Sequence, residues 1–122
     1  MILQTLYGET YNKRLSSFYA EIYKTRFGEY PKVKYTPIFY VLLKRAFEKY
    51  GEIKLAGAIL VHFEQNGKRI QEEKFPFNWV FRNIDEYLKY LQDEKGIDID
   101  NEEELYTAIE TRLKFLDVNF CM

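Results

Sequence analysis

Residues 52–65 read EIKLAGAILVHFEQ, an unbroken run with no proline and with Gly57 as its single glycine. Ile53, Ala56, Ile59, Leu60 and Phe63 recur at helical spacing. The same run read as a strand would be a buried, nearly continuous apolar segment. Its length exceeds the roughly four to eight residues of an ordinary strand, so the helix is preferred. Gly57 between Ala56 and Ala58 makes a narrow waist where a second helix can approach closely.

The flanking residues carry helix punctuation. Gly51 closes a preceding helix, IFYVLLKRAFEKY, whose Leu42, Leu43, Ala46, Phe47 and Tyr50 lie on one side. Thr36-Pro37 marks its start: threonine at the N-cap, proline at the first helical position. Further upstream, residues 11–27 place Leu15, Phe18, Tyr19, Ile22 and Tyr23 on one face, with Gly28 as the stop. The EYPKVKYTP segment between them is extended, because Pro31 and Pro37 each push the preceding residue out of the α region.

Downstream, Asn66-Gly67 is a turn signal. It raises the main competitor to an all-helical chain, a small hairpin with strands near 59–64 and 69–75. Residues 75–91, FPFNWVFRNIDEYLKYL, hold the only tryptophan. Two helix starts fit: Asn78 capping a helix from Trp79, or Asn83 capping a shorter one with Glu86 completing a capping box. Either places Ile84, Leu88 and Leu91 on one face. The last helix is the best signalled: Asn101 caps, Glu104 reaches back, and Glu102 and Glu103 suit the positive helix start. Leu105, Ala108, Ile109, Leu113 and Leu116 form its apolar face. The expected fold is therefore mainly α, a compact bundle of about five helices in a single domain over residues 1–122, with one small β-hairpin near 59–75 as the variant.

Composition narrows the function. Apolar residues make up 47% and charged residues 30%, a globular balance, and no apolar run approaches a membrane span. The N-terminal stretch lacks a signal-peptide pattern, and a single cysteine excludes an internal disulfide, so a cytoplasmic setting is expected (the host's, if the protein is viral). One His and one Cys cannot make a Cys/His zinc cluster. There is no Gly-rich phosphate loop and no GxSxG, and the acidic run at 98–104 lacks the glycine arrangement of an EF-hand. His62 lies on or near an apolar face, which favours a hydrogen-bonded structural role over a general base. The expectation is a non-enzyme with no metal and no cofactor.

What remains is charge and aromatic patterning. Residues 1–74 carry 13 basic and 8 acidic residues, a net of +5; residues 75–122 carry 5 and 11, a net of −6. Eight of the 11 tyrosines fall within the first 50 residues, interleaved with the cations. Lysine and arginine neutralise phosphates, and tyrosine rings stack on unpaired bases. The candidate nucleic-acid-binding residues are Lys13, Arg14, Tyr23, Lys24, Arg26, Lys32, Lys34, Tyr35, Lys44, Arg45 and Lys49. Trp79, Phe81 and Arg82 are candidates for a partner-binding anchor, against the alternative that the two rings fill the core.

The order Tyr23-Lys24, Phe27-Gly28-Glu29, Leu42–Arg45, Tyr50-Gly51, Ala58-Ile59, Phe63 and Phe81–Leu88 resembles small helical modules of phage replication proteins, of the replisome-organiser and primosome-component type. The resemblance spans roughly residues 19–91. It implies a phage or mobile-element replication context, DNA contact and a protein partner such as a helicase or its loader, and no catalytic residues. The first functional expectation is thus a small non-enzymatic DNA-binding accessory protein, favouring single-stranded or non-specific DNA. The alternative is a protein-interaction module, an inhibitor or adaptor of a host enzyme, acting through its aromatic segment and acidic C-terminal half. Opposite charges on the two halves also permit a homo-oligomer.

Overall fold

The computed structural model describes residues 10–31, 37–71 and 78–115. Among the described residues six helices follow in order: α1 (Tyr11–Phe27), α2 (Pro37–Tyr50), α3 (Glu52–Gln71), α4 (Asn78–Arg82), α5 (Ile84–Asp93) and α6 (Glu102–Phe115). Among the described residues no strand occurs and no helix is long and apolar enough to cross a membrane. The mainly helical bundle expected from the sequence is the observed architecture.

The run LAGAILVHF explains the arrangement. A helix that is apolar all round must be covered all round, and Leu55 to Phe63 are all buried. Accordingly α3 is the central helix and packs against each of the other five. Helices α1 and α2 pack on each other and on α3, while α4 joins α2 and α3. Helices α5 and α6 each pack on α3. The five-residue apolar stripe read from the sequence was too narrow, because a stripe assumes one solvent face and α3 has none over this stretch.

Gly57 is the close-approach point. A Cβ built there would meet the Leu91 side chain at 3.3 Å and the Leu105 side chain at 3.5 Å. Absence of a side chain lets both α5 and α6 reach α3 at the same level. The corner between α2 and α3 is equally economical. Gly51 takes φ 84°, its N–H donates to the Phe47 carbonyl at 2.9 Å, and its own carbonyl accepts from Leu55 N–H at 3.2 Å. One glycine thus ends one helix and begins the next.

The hairpin does not form over the described residues: 59–71 are helical. Asn66-Gly67 instead makes a kink, with Asn66 at φ −126°, ψ 18°. The Asn66 side chain stabilises it by donating to the His62 carbonyl at 3.3 Å and to the Tyr87 hydroxyl at 3.1 Å. Residues 72–75 lie outside the described residues.

Both candidate starts in the aromatic stretch are used. Asn78 begins α4, and Asn83 separates it from α5. Asn83 makes no side-chain cap to α5; its amide donates backward to the Trp79 carbonyl at 2.8 Å and ties off α4. The expected Asn83–Glu86 capping box is therefore absent. At α6, Asn101 Oδ1 accepts from Glu104 N–H at 3.2 Å as expected, but Glu104 Oε1 accepts from Asp98 N–H rather than from Asn101.

One polar cluster sits inside the core. His62 is fully buried, and its Nδ1 lies 2.9 Å from the Tyr87 hydroxyl. Asn66 donates to the same hydroxyl, so His62, Tyr87 and Asn66 form one hydrogen-bonded cluster. Burial is the main cause that pushes the Tyr87 pKa from 10.0 up to about 12. The folded state holds the phenol neutral, so this contribution is complete below pH 10 and is lost as pH rises from 10 towards 12. The expected loss is on the order of 2 kcal/mol. Denaturant midpoints between pH 9 and 12 should fall more steeply for wild type than for Tyr87→Phe, which has no phenol to ionise.

Candidate nucleic-acid interface

Among the described residues, the basic residues of the first half lie on α1 (Lys13, Arg14, Lys24, Arg26), on α2 (Lys44, Arg45, Lys49) and on α3 (Lys54, Lys68, Arg69), and α1 and α2 pack on each other and on α3. On α1, Lys13, Lys24 and Arg26 are exposed, opposite the buried face of Leu15, Phe18, Tyr19, Ile22 and Tyr23. On α2, Phe39, Leu43 and Ala46 are buried and Lys44, Arg45 and Lys49 are exposed. Helical spacing then divides the exposed surface of α2 in two. Tyr40 and Lys44 share one flank at i, i+4; Ile38, Val41, Arg45 and Lys49 share the other at i, i+3, i+7, i+11.

Several candidates are already engaged within the chain. The Arg14 guanidinium donates twice to the Glu52 carboxylate, at 2.5 and 3.3 Å, and its side chain is only 12% exposed. It serves the α1–α3 junction rather than the surface. Lys24 lies 4.5 Å above the Tyr30 ring, and the Tyr30 hydroxyl donates to Glu21 at 3.0 Å. Lys44 stands 4.0 Å from Glu48, a pair of little consequence because both side chains are largely exposed. Lys49 lies over the Tyr50 ring at 5.1 Å, and its pKa is raised chiefly by the hydrogen bond with Tyr50.

Tyr23 is corrected most clearly. It is buried, with its ring edge-on to Phe27 at 4.7 Å, so it belongs to the core and is not placed to stack on a base. Its spacing with Tyr19 and Phe27 already put it on the apolar face of α1. Lys32, Lys34 and Tyr35 lie outside the described residues.

Tyr40 is the residue that pattern reading passed over. It is 44% exposed and turns towards α1, where Ser16, Ser17 and Ala20 leave room beside it. Together with Asn12 and Lys13 these residues line an open groove of about 360 Å³. Lys44 stands one turn along α2 from Tyr40. The arrangement presents an aromatic ring between cations from two helices, in a groove floored by small side chains. Tyr40 lies off the Phe39–Leu43–Ala46 stripe, which marks it as exposed; the small residues facing it come from α1 and carry no local signal.

The partner-binding candidates divide. Trp79 and Phe81 are half-buried, and the Phe81 ring meets Phe39 at 5.6 Å. Val80, Ile84, Tyr87, Leu88 and Leu91 around them are buried. These five residues are the core part of the described stretch, and Arg82 alone of the three candidates is exposed. Among the described residues no group of three His, Cys, Asp or Glu side chains is placed to hold a metal ion. No family model, curated protein or solved structure matches the chain.

Proposed function

We propose that this chain is a small non-enzymatic nucleic-acid-binding accessory protein that grips single-stranded DNA along the outer surface of α1 and α2. The observation that carries this reading is the exposed Tyr40 ring in a groove shared with Lys13, with Lys44 one turn away. The two cations track the phosphates while the ring stacks on an unpaired base, a combination that needs no sequence readout. Arg45 and Lys49 extend the positive surface along α2. A phage or mobile-element replication setting, in a host cytoplasm and beside a helicase-type partner, rests on the sequence resemblance alone and is part of the same proposal.

Tyr40→Ala tests the stacking role. The ring is exposed, so the fold should be kept, while affinity for a single-stranded oligonucleotide should fall by about 1–3 kcal/mol, roughly 5- to 150-fold. Lys13→Ala with Lys44→Ala should weaken binding to every sequence alike and flatten the salt dependence by about 1.4 in log–log slope. A Tyr40→Ala protein that binds like wild type removes the groove from the reading.

A further inference from the structure

The second flank of α2 is not used by the groove. Ile38 is 69% exposed and Val41 48%, and they lead directly into Arg45 and Lys49. An apolar pair this exposed, followed by cations on the same stripe, is a knob with a basic collar. At the other end of α2 lies its complement. A crevice of about 370 Å³ opens between the α2–α3 corner and α5, with Leu88 and Ile99 as its apolar lining. A second hollow, sharing Tyr50, Lys54 and Ile99, continues it towards Asp100 and Glu102.

The crevice and its adjoining hollow together are acidic, with Asp85, Asp93, Asp100 and Glu102 against Lys54 and Lys89. Asp85 and Asp93 line the crevice with Lys89 and Lys54, but Lys54 is paired with Asp100 at 3.0 Å. Tyr50 donates to Asp85 at 2.6 Å, and its pKa is raised first by burial and then by that bond. The wider charge agrees. Helices α1 and α2 together carry seven basic and two acidic residues, a net of +5. Residues 84–115 carry four and ten, a net of −6. Val41 and Tyr50 are nine residues apart on one straight helix, about 13 Å at 1.5 Å per residue, so the knob cannot fold back into its own crevice.

We infer that the Ile38–Val41 knob of one copy docks into the Leu88–Ile99 crevice of a second copy of this chain, so that the protein self-associates through unlike, oppositely charged faces. Contact of the α1–α2 face with itself would set its exposed cations, Lys13, Lys24, Arg26, Lys44, Arg45 and Lys49, against the same set, which disfavours the like-with-like alternative. The contact is small and partly electrostatic. It is therefore weak and weakens further as salt rises from about 0.05 to about 0.5 M, where screening shortens to a few ångströms.

Sedimentation velocity of the full chain across a concentration series tests this. Wild type should associate at low salt. Ile38→Ser with Val41→Ser, both at exposed positions, should raise the dissociation constant at least about tenfold. Gln92→Lys with Asp93→Lys, at exposed positions beside the crevice, should do the same. A mixture of the two defective variants should associate again, because each retains the face the other lacks. Binding of single-stranded DNA by the Ile38/Val41 variant should stay as in wild type, which keeps this inference separate from the groove proposal. A wild-type chain that stays monomeric to about 1 mM overturns the inference. So does association indifferent to the Ile38/Val41 change, or a mixture that fails to associate.

Discussion

Phe63→Ala is expected to destabilise the protein by about 3–5 kcal/mol, a large share of the roughly 5–15 kcal/mol that holds a domain of this size together. Phe63 is fully buried on α3 and its ring meets Tyr19 at 4.9 Å and Tyr23 and Phe27 at 6.4 Å, all from α1. The substitution removes most of one large ring and leaves its neighbours facing a void, because three other rings fixed on one helix cannot all move in. A drop in melting temperature of about 10–20 °C should follow. Chemical denaturation is the cleaner measurement, with the slope unchanged and the midpoint lowered. A loss below about 1 kcal/mol would mean that α1 does not rest on α3 as described.

Glu52→Ala should cost about 3 kcal/mol although it removes only one carboxylate at a helix start. Glu52 and Arg14 are 8% and 12% exposed and joined by two hydrogen bonds. Deleting the acid leaves a nearly buried guanidinium without its bidentate partner, and the low local dielectric that strengthens the pair makes its loss costly. Arg14→Met with Glu52→Leu should recover most of the stability, since neither charge is then left behind. The pair also bears on function. Arg14 was a nucleic-acid candidate by position, yet it is committed inward, so the double variant should bind DNA as wild type does. A stable Glu52→Ala protein would place Arg14 in solvent and return it to the interface.

These two cases show what the sequence could and could not convey. The buried face of α1 was legible residue by residue, because Leu15, Phe18, Tyr19, Ile22 and Tyr23 obey one period and the opposite face is polar. The glycine stops at 28 and 51 were legible because positive φ leaves few alternatives. The central position of α3 was less so: a period argument searches for a stripe, and LAGAILVHF has none. Phe39 was missed for a related reason, since Ile38, Val41 and Leu42 beside it are as apolar and only packing tells which one is inside. Asn66-Gly67 carries the same local signal for a hairpin and for a helix kink, and the choice rests on Tyr87, 21 residues away.

The candidate interface was legible as a tendency rather than a place. Charge along the chain separates a basic first half from an acidic second. Which cations face outward depends on partners distant in sequence: Glu52 for Arg14, Asp100 for Lys54. Tyr40 became visible as a site only when α1 supplied Ser16, Ser17 and Ala20 opposite it.

The most direct measurement is fluorescence anisotropy of the wild-type protein with labelled single- and double-stranded oligonucleotides across a salt series. The groove of Lys13, Tyr40 and Lys44 requires a preference for the single strand. It also requires an affinity whose logarithm falls linearly with the logarithm of salt, by about 0.7 per phosphate neutralised. No binding at about 50 mM salt, or binding indifferent to salt, would contradict nucleic-acid recognition by this surface and leave its exposed residues to a protein partner.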